Sequence, residues 1–393
     1  MVTVLLLLTY LAIILLIGLL TSIVSQKFRI PNILLLLLIG IVLGRIDYRG
    51  GPLIEFPEIF MTSISILALV MIVFDSASRF KLKKVDYFSL HTLWLSLVFN
   101  LIFLTVFVML IFNIESIFLA LIFAALMSGT SPAVVLSMLK NVKNKVFDFL
   151  RLESLLNTPL VVLIPFLILD LKTTLKDQLL VSTLIDQFGP LLQQFVVGIG
   201  SGVLIGLIMF KFMRKAYSAV LSPLAVVTSA LLAYIIAENL GGNGVLAVTS
   251  MGLLFGNVYL KQKFQLKEFA SVFSNSLEIL VFVLIGIVIA IPFSNEFLMK
   301  SILLFALYLV IRFISIMFSL RGMDFTFKEK IFMSLNAQKG IAVAVVVFSL
   351  ATLQIEGMQT ILNLSLAFML YSIILSSVVF RTANFFIKDI VER

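Results

Sequence analysis

The sequence predicts an all-helical, polytopic membrane protein. Three observations carry that prediction. The 393 residues are 61% hydrophobic and only 12% charged, about half the charged share of a soluble domain, and the mean hydropathy is +1.19. Apolar runs recur along the whole chain at lengths near the roughly 20 residues that a helix needs to cross a bilayer. The Lys and Arg residues cluster at alternate ends of those runs.

A hydropathy reading with a window of about 19 residues gives thirteen spans, near 3–25, 31–44, 57–76, 87–113, 116–139, 147–171, 189–211, 217–238, 242–257, 269–292, 298–320, 329–352 and 358–381. The first has no basic leader and no small-residue cleavage site, and it is longer than a signal-peptide core, so it reads as a retained helix. No long polar stretch interrupts the spans. Residues 1–393 therefore read as a single transmembrane domain with no appended soluble domain.

Charge fixes the orientation. With the N-terminus outside and the C-terminus cytoplasmic, 22 of the 29 basic residues fall on the cytoplasmic side, as the positive-inside rule requires. The net charge of +9 thus reports membrane orientation and not nucleic-acid binding. The absence of cysteine excludes disulfides and thiolate metal sites. The lone His91 is no metal site, since such sites need several clustered donors. No nucleophile–base pair or metal cluster points to an enzyme, and no cofactor is expected.

Several polar residues sit where hydrocarbon should forbid them. In "ESLLNTP" (153–159), Glu153 and Asn157 are one helical turn apart, as are Ser154 and Thr158, and all four fit within a sector of about 140°. A charge near the middle of a span costs roughly 2.5–3.5 kcal/mol. One carboxylate, an amide oxygen and hydroxyls suit a cation; the alternative is a polar helix contact with Glu153 near the cytoplasmic end, paired to Arg151 or a loop lysine. The fifth span carries "SGTSPAVV" (128–135), in which Gly129, Pro132, Ser128, Thr130 and Ser131 predict a mid-span break. The twelfth carries "AQKGIAVAVVVF" (337–348), interrupted at Asn336, Gln338, Lys339 and Gly340. Paired breaks in two halves of opposite orientation point to a transporter site at an inverted-repeat interface. Lys339 is expected to offset the C-terminal dipole ends of both broken helices.

Glu278 and Arg312, on consecutive spans, are expected to form a structural intramembrane pair. Asp75 and Arg79 in "FDSASRF" read as a local surface pair. Glycines at 198, 200, 202 and 206 suit close helix packing.

In order and on the expected helices, "SGTSPAVV", "ESLLNTP", "GNGVLAVTSMGLLFGN" (242–257), Glu278 with Arg312, and "AQKGIAVAVVVF" resemble the monovalent cation:proton antiporter superfamily, sodium/proton exchanger type. The resemblance implies crossed, discontinuous spans five and twelve, a core beside a dimerisation panel, and a homodimer in the plasma membrane. Its substrates would be H⁺ and Na⁺, with K⁺ or Li⁺ as alternatives, and the transported ion would be the only metal. It places Lys339 beside the crossing and sets Glu153, Asn157, Thr130 and Ser131 at the ion site. That family usually has an aspartate where this chain has Thr158, and often one where it has Ser131. Glu153 would then be the only acid at the site, alternately binding a proton and a cation one for one. Two other readings stay open: a non-transporting, sensor-like homologue, which fits the missing aspartate, and a sodium-coupled organic-anion transporter, since related folds place two helix breaks similarly.

Overall fold

The computed structural model describes residues 4–28, 30–48, 51–54, 56–79, 94–95, 97–131, 145–175, 181–215, 218, 221–258, 263–289, 291–292 and 294–387. Every predicted span contains a helix. In order they are α1 (Val4–Phe28), α2 (Asn32–Leu43), α3 (Glu58–Arg79), α4 (Leu97–Phe112), α5 (Ile117–Ser128), α6 (Lys145–Leu175), α7 (Val181–Lys215), α8 (Leu221–Asn239), α9 (Gly244–Asn257), α10 (Lys263–Val288) and α11 (Asn295–Ser319). The twelfth span is two helices, α12 (Phe327–Leu335) and α13 (Ile341–Ala351); α14 (Met358–Arg381) and the single turn α15 (Ala383–Phe386) follow. Seven of these helices are long and apolar enough to cross a membrane, and five more are apolar but shorter. A two-residue strand pair, β1 (Asp47–Tyr48) with β2 (Gly51–Pro52), closes the turn after α2. Lys81, Pro132, Lys143 and His91 lie outside the described residues, as does the second half of the predicted fifth span.

Side chains set several helix starts. The Asn243 side chain accepts a hydrogen bond from the Leu246 N–H at 2.9 Å, and Ser294 does the same for Phe297 at 3.2 Å. Thr326 and Glu329 form a reciprocal capping box at the start of α12. Each supplies an acceptor to backbone N–H groups that have no partner within the helix. Gly357, at φ 75°, turns the chain into α14, a conformation that a Cβ disfavours.

Three packing relations place the site. α7, α8 and α9 pack on one another, and α9 packs on α3. At Gly202 a Cβ would lie 2.0 Å from the Ala247 carbonyl oxygen, so the predicted glycine contact is a real α7–α9 approach. Gly200, by contrast, faces open space. α10 packs on α2, α3 and α13, whereas α11 packs on α12, α4 and α14. Consecutive helices α10 and α11 are therefore directed to different neighbours. The core around α3, α5 and α13 is closely filled: Phe74, Phe123, Val345 and Phe348 are fully buried.

Candidate functional site: two interrupted helices and an oxygen-lined cavity

The site grows from the places where regular helix stops. α5 ends at Ser128, and Gly129 is extended (φ −70°, ψ 139°). α12 ends at Leu335, and the chain runs irregularly to Gly340 before α13 begins. The two interruptions meet: the Ser131 N–H donates to the Gln338 carbonyl at 2.8 Å. Gly340 makes this approach possible, since a Cβ there would lie 2.3 Å from the Ser131 Cβ.

Ending a helix inside the core strands carbonyl groups that bear the negative end of the helix dipole. At α5, Lys339 Nζ donates to the Met127 carbonyl at 2.5 Å, to the Gly129 carbonyl at 2.9 Å and to the Tyr308 hydroxyl at 2.6 Å. Its ammonium also lies 4.2 Å from the Tyr308 ring centroid. At α12, Arg312 donates to the Ser334 carbonyl at 3.2 Å and to the Met333 carbonyl at 3.3 Å. Lys339 was expected to serve both ends; the structure gives each broken helix its own cation.

The expected Glu278–Arg312 pair is corrected here. Arg312 Nη1 and Nη2 donate to Glu153 Oε1 and Oε2 at 2.9 and 3.0 Å, a bidentate pair in which both residues are no more than 2% exposed. The reason is the packing above: α11 faces α12 and the region where α6 also packs, while α10 faces α3 and α13. Glu153 is as deeply buried as its place in the span implied, but both carboxylate oxygens are engaged.

Against the crossing lies a cavity of about 510 Å³. Thr130, Ser131, Ser154 and Thr158 line it, as do Asp75 and Arg79 of α3, Lys267, Ser274, Asn275 and Glu278 of α10, and the first turn of α13. Of the predicted site residues, then, the structure brings Thr130, Ser131, Thr158 and Glu278 together. Asn157 is buried behind them and its Nδ2 donates to Thr130 Oγ1 at 3.2 Å. The Thr158 hydroxyl bonds back to the Ser154 carbonyl and the Ser128 hydroxyl to the Ala124 carbonyl, each at 2.8 Å. Gln338 is buried with neither side-chain polar atom hydrogen-bonded. Glu153, Asn157, Ser128, Gln338, Lys339 and Arg312 surround the crossing without lining the cavity.

Sequence reasoning missed Asp75, Ser274 and Asn275 as site residues and gave Glu278 only a structural pairing. Asp75 does pair with Arg79, at 2.8 Å, but it is only 7% exposed and faces the cavity, so the surface-pair reading is corrected. The signal was available in "SNSLE" (274–278), where Ser274 and Glu278 are one turn apart on one face. Glu153 is accordingly not the only acid near the crossing.

Two interrupted helices meeting in a polar, cation-capped crossing beside a cavity define a secondary transporter of the inverted-repeat type. A model of the family described as "Sodium/hydrogen exchanger, transmembrane" matches residues 11–384. The chain belongs to the sodium/hydrogen exchanger family. It is 26% identical over 322 residues to the probable Na⁺/H⁺ antiporter 2 of Methanocaldococcus jannaschii, covering 75% of this chain and 72% of that protein. It is 27% identical over 250 residues to the K⁺/H⁺ antiporter NhaP2 of Shewanella sp. (strain ANA-3), covering 61% of this chain but only 42% of that relative. The sodium proton antiporter MjNhaP1 of M. jannaschii, solved at pH 8, superposes with a TM-score of 0.76 at 21% identity, covering 94% of this chain and 96% of that one. That likeness shows the fold.

Proposed function

We propose that this chain exchanges a monovalent cation for H⁺ across the membrane by alternating access, with Na⁺ as the first candidate and K⁺ or Li⁺ as alternatives. The observation that carries the reading is the cavity itself. Hydroxyls and carboxylates line it, and it abuts a crossing whose helix ends are already neutralised by Lys339 and Arg312. With the stranded carbonyls capped by fixed protein cations, the remaining oxygens of Thr130, Ser131, Ser154 and Thr158 are available to replace the water shell of a small cation. The relatives named as Na⁺/H⁺ and K⁺/H⁺ antiporters support the substrate class.

Charge placement along the sequence supports an N-terminus outside and a C-terminus in the cytoplasm of a plasma-membrane protein. The chain works as a homodimer in this reading, with its core moving against the dimer panel. The test is dye-reported proton movement in proteoliposomes under imposed gradients of Na⁺, K⁺ and Li⁺ at several pH values. Proton efflux driven by at least one of these cations is expected. A correctly folded protein that moves no protons with any of them would overturn the reading.

A further inference from the structure

We infer that the negative charge holding the transported cation is supplied from α10, by Glu278, with Asp75 of α3 beside it. This rests on the exchange reading above and names the substrate-binding acid within it.

A cation that leaves water for a protein cavity needs oxygen ligands and a compensating charge, since hydroxyls and carbonyls supply only dipoles. On α6 the residues facing the cavity are Ser154, Thr158 and Val161, none of them charged. The one acid in that stretch, Glu153, gives both oxygens to Arg312 and does not line the cavity. The charge must therefore come from another wall, and two carboxylates are there. Glu278 lines the cavity one turn from Ser274, and no hydrogen bond or ion pair joins it to any other described residue. Asp75 accepts from Arg79 at 3.1 and 2.8 Å through Oδ2 alone; its Oδ1 is buried without a partner.

The cavity's two cations each have a partner other than Glu278. Arg79 reaches Asp75 and the Ser271 hydroxyl, the latter at 2.9 Å, and Lys267 donates to the Ser78 carbonyl at 2.6 Å. The lining positions contributed by α2, by the segment after α5, by α6 and by α13 carry no charge. Glu278 is thus the acid with open coordination, and Asp75 Oδ1 is a second acceptor without a donor. When a cation arrives at a protonated Glu278, one proton leaves and one cation takes its place, so each half-cycle moves one positive charge.

The test compares wild type, Glu278→Gln, Glu278→Asp and Glu153→Gln in proteoliposomes carrying a pH-sensitive dye. In parallel, melting is measured in detergent with and without the cation that drives wild-type exchange, or with Na⁺, K⁺ and Li⁺ each if none does. Glu278→Gln is expected to lose at least tenfold in exchange rate and to lose the cation-dependent rise in melting temperature. Glu278→Asp is expected to keep exchange with a several-fold higher apparent KM for the cation. Folded Glu278→Gln that exchanges and is stabilised like wild type would overturn the inference while leaving exchange intact. Should Glu278→Gln fail to fold, an unchanged KM in Glu278→Asp would overturn it equally. If wild type moves no protons, the exchange reading fails by itself. The melting comparison still decides: stabilisation by cation in wild type alone supports Glu278, while equal stabilisation in both proteins, or none in wild type, overturns it.

Discussion

The two helix breaks solve one problem by different chemistry. At the end of α5 a single ammonium, Lys339, is shared among two carbonyls and a phenol, with no carboxylate within ion-pair distance among the described residues. At the end of α12 a planar guanidinium, Arg312, reaches two carbonyls and is itself balanced by Glu153 through a bidentate pair. A compact ammonium donates in three directions from one point, whereas a fork donates along parallel lines and matches a carboxylate. The α12 end is thus a net-neutral assembly that ties α6, α11 and α12 together. The α5 end is a point charge placed under the loop that touches the cavity. This contrast divides the crossing into a lock at the α12 end and a lone point charge at the α5 end, and it can be tested one residue at a time.

The largest effect is expected at the lock. Arg312→Met leaves Glu153 buried without its partner, and stranding one member of such a pair costs about 3–5 kcal/mol. Melting in detergent should fall most for this variant, and adding Glu153→Gln should recover much of the loss. A double variant no more stable than Arg312→Met would break the comparison. Next is Lys339→Met, which removes the only side-chain donor to the Met127 and Gly129 carbonyls among the described residues. Each buried group left unsatisfied costs about 1–3 kcal/mol. Here no second substitution on a neighbouring carboxylate should rescue the protein, because among the described residues none is paired with Lys339.

A smaller change sharpens the geometry. Gly340→Ala places a methyl group 2.3 Å from the Ser131 Cβ, and overpacking of this kind costs about 1–3 kcal/mol. Exchange should fall more than stability does, and Ser131→Gly in the same chain should restore part of it. Rates that simply multiply in the double variant would show that the contact is not shared. The smallest effect is expected for Asn157→Ala, which removes the hydrogen bond to Thr130. About 1 kcal/mol of stability should go, with a modest rise in apparent KM, because Asn157 stands behind the cavity wall and does not form it.

Much of this was legible from residue types. Gly129 and Gly340 with their polar neighbours located both interruptions, and the buried positions of Lys339, Arg312 and Glu153 followed from charge inside apolar runs. The partnerships were less legible. Arg312 was read with Glu278 because their spans are consecutive, yet α10 and α11 turn to different neighbours. Asp75 and Arg79 read as a surface pair because four-residue spacing explains them locally; that α10 and α13 enclose them is a long-range fact that spacing cannot carry. The polar face of Ser154 and Thr158 was found on α6, but the wall opposite it belongs to helices far away in sequence.

The sequence by itself determined the helical class, the segments that become helices and the two points where a helix must stop. Those follow from local physics: apolar length against bilayer thickness, and what glycine, proline and buried charge do to a backbone. Only the tertiary structure decided which cation meets which acid and which acids face the cavity. Those choices depend on how helices distant in the chain are turned toward one another, and an ion pair forms with whatever charge the packing brings within reach.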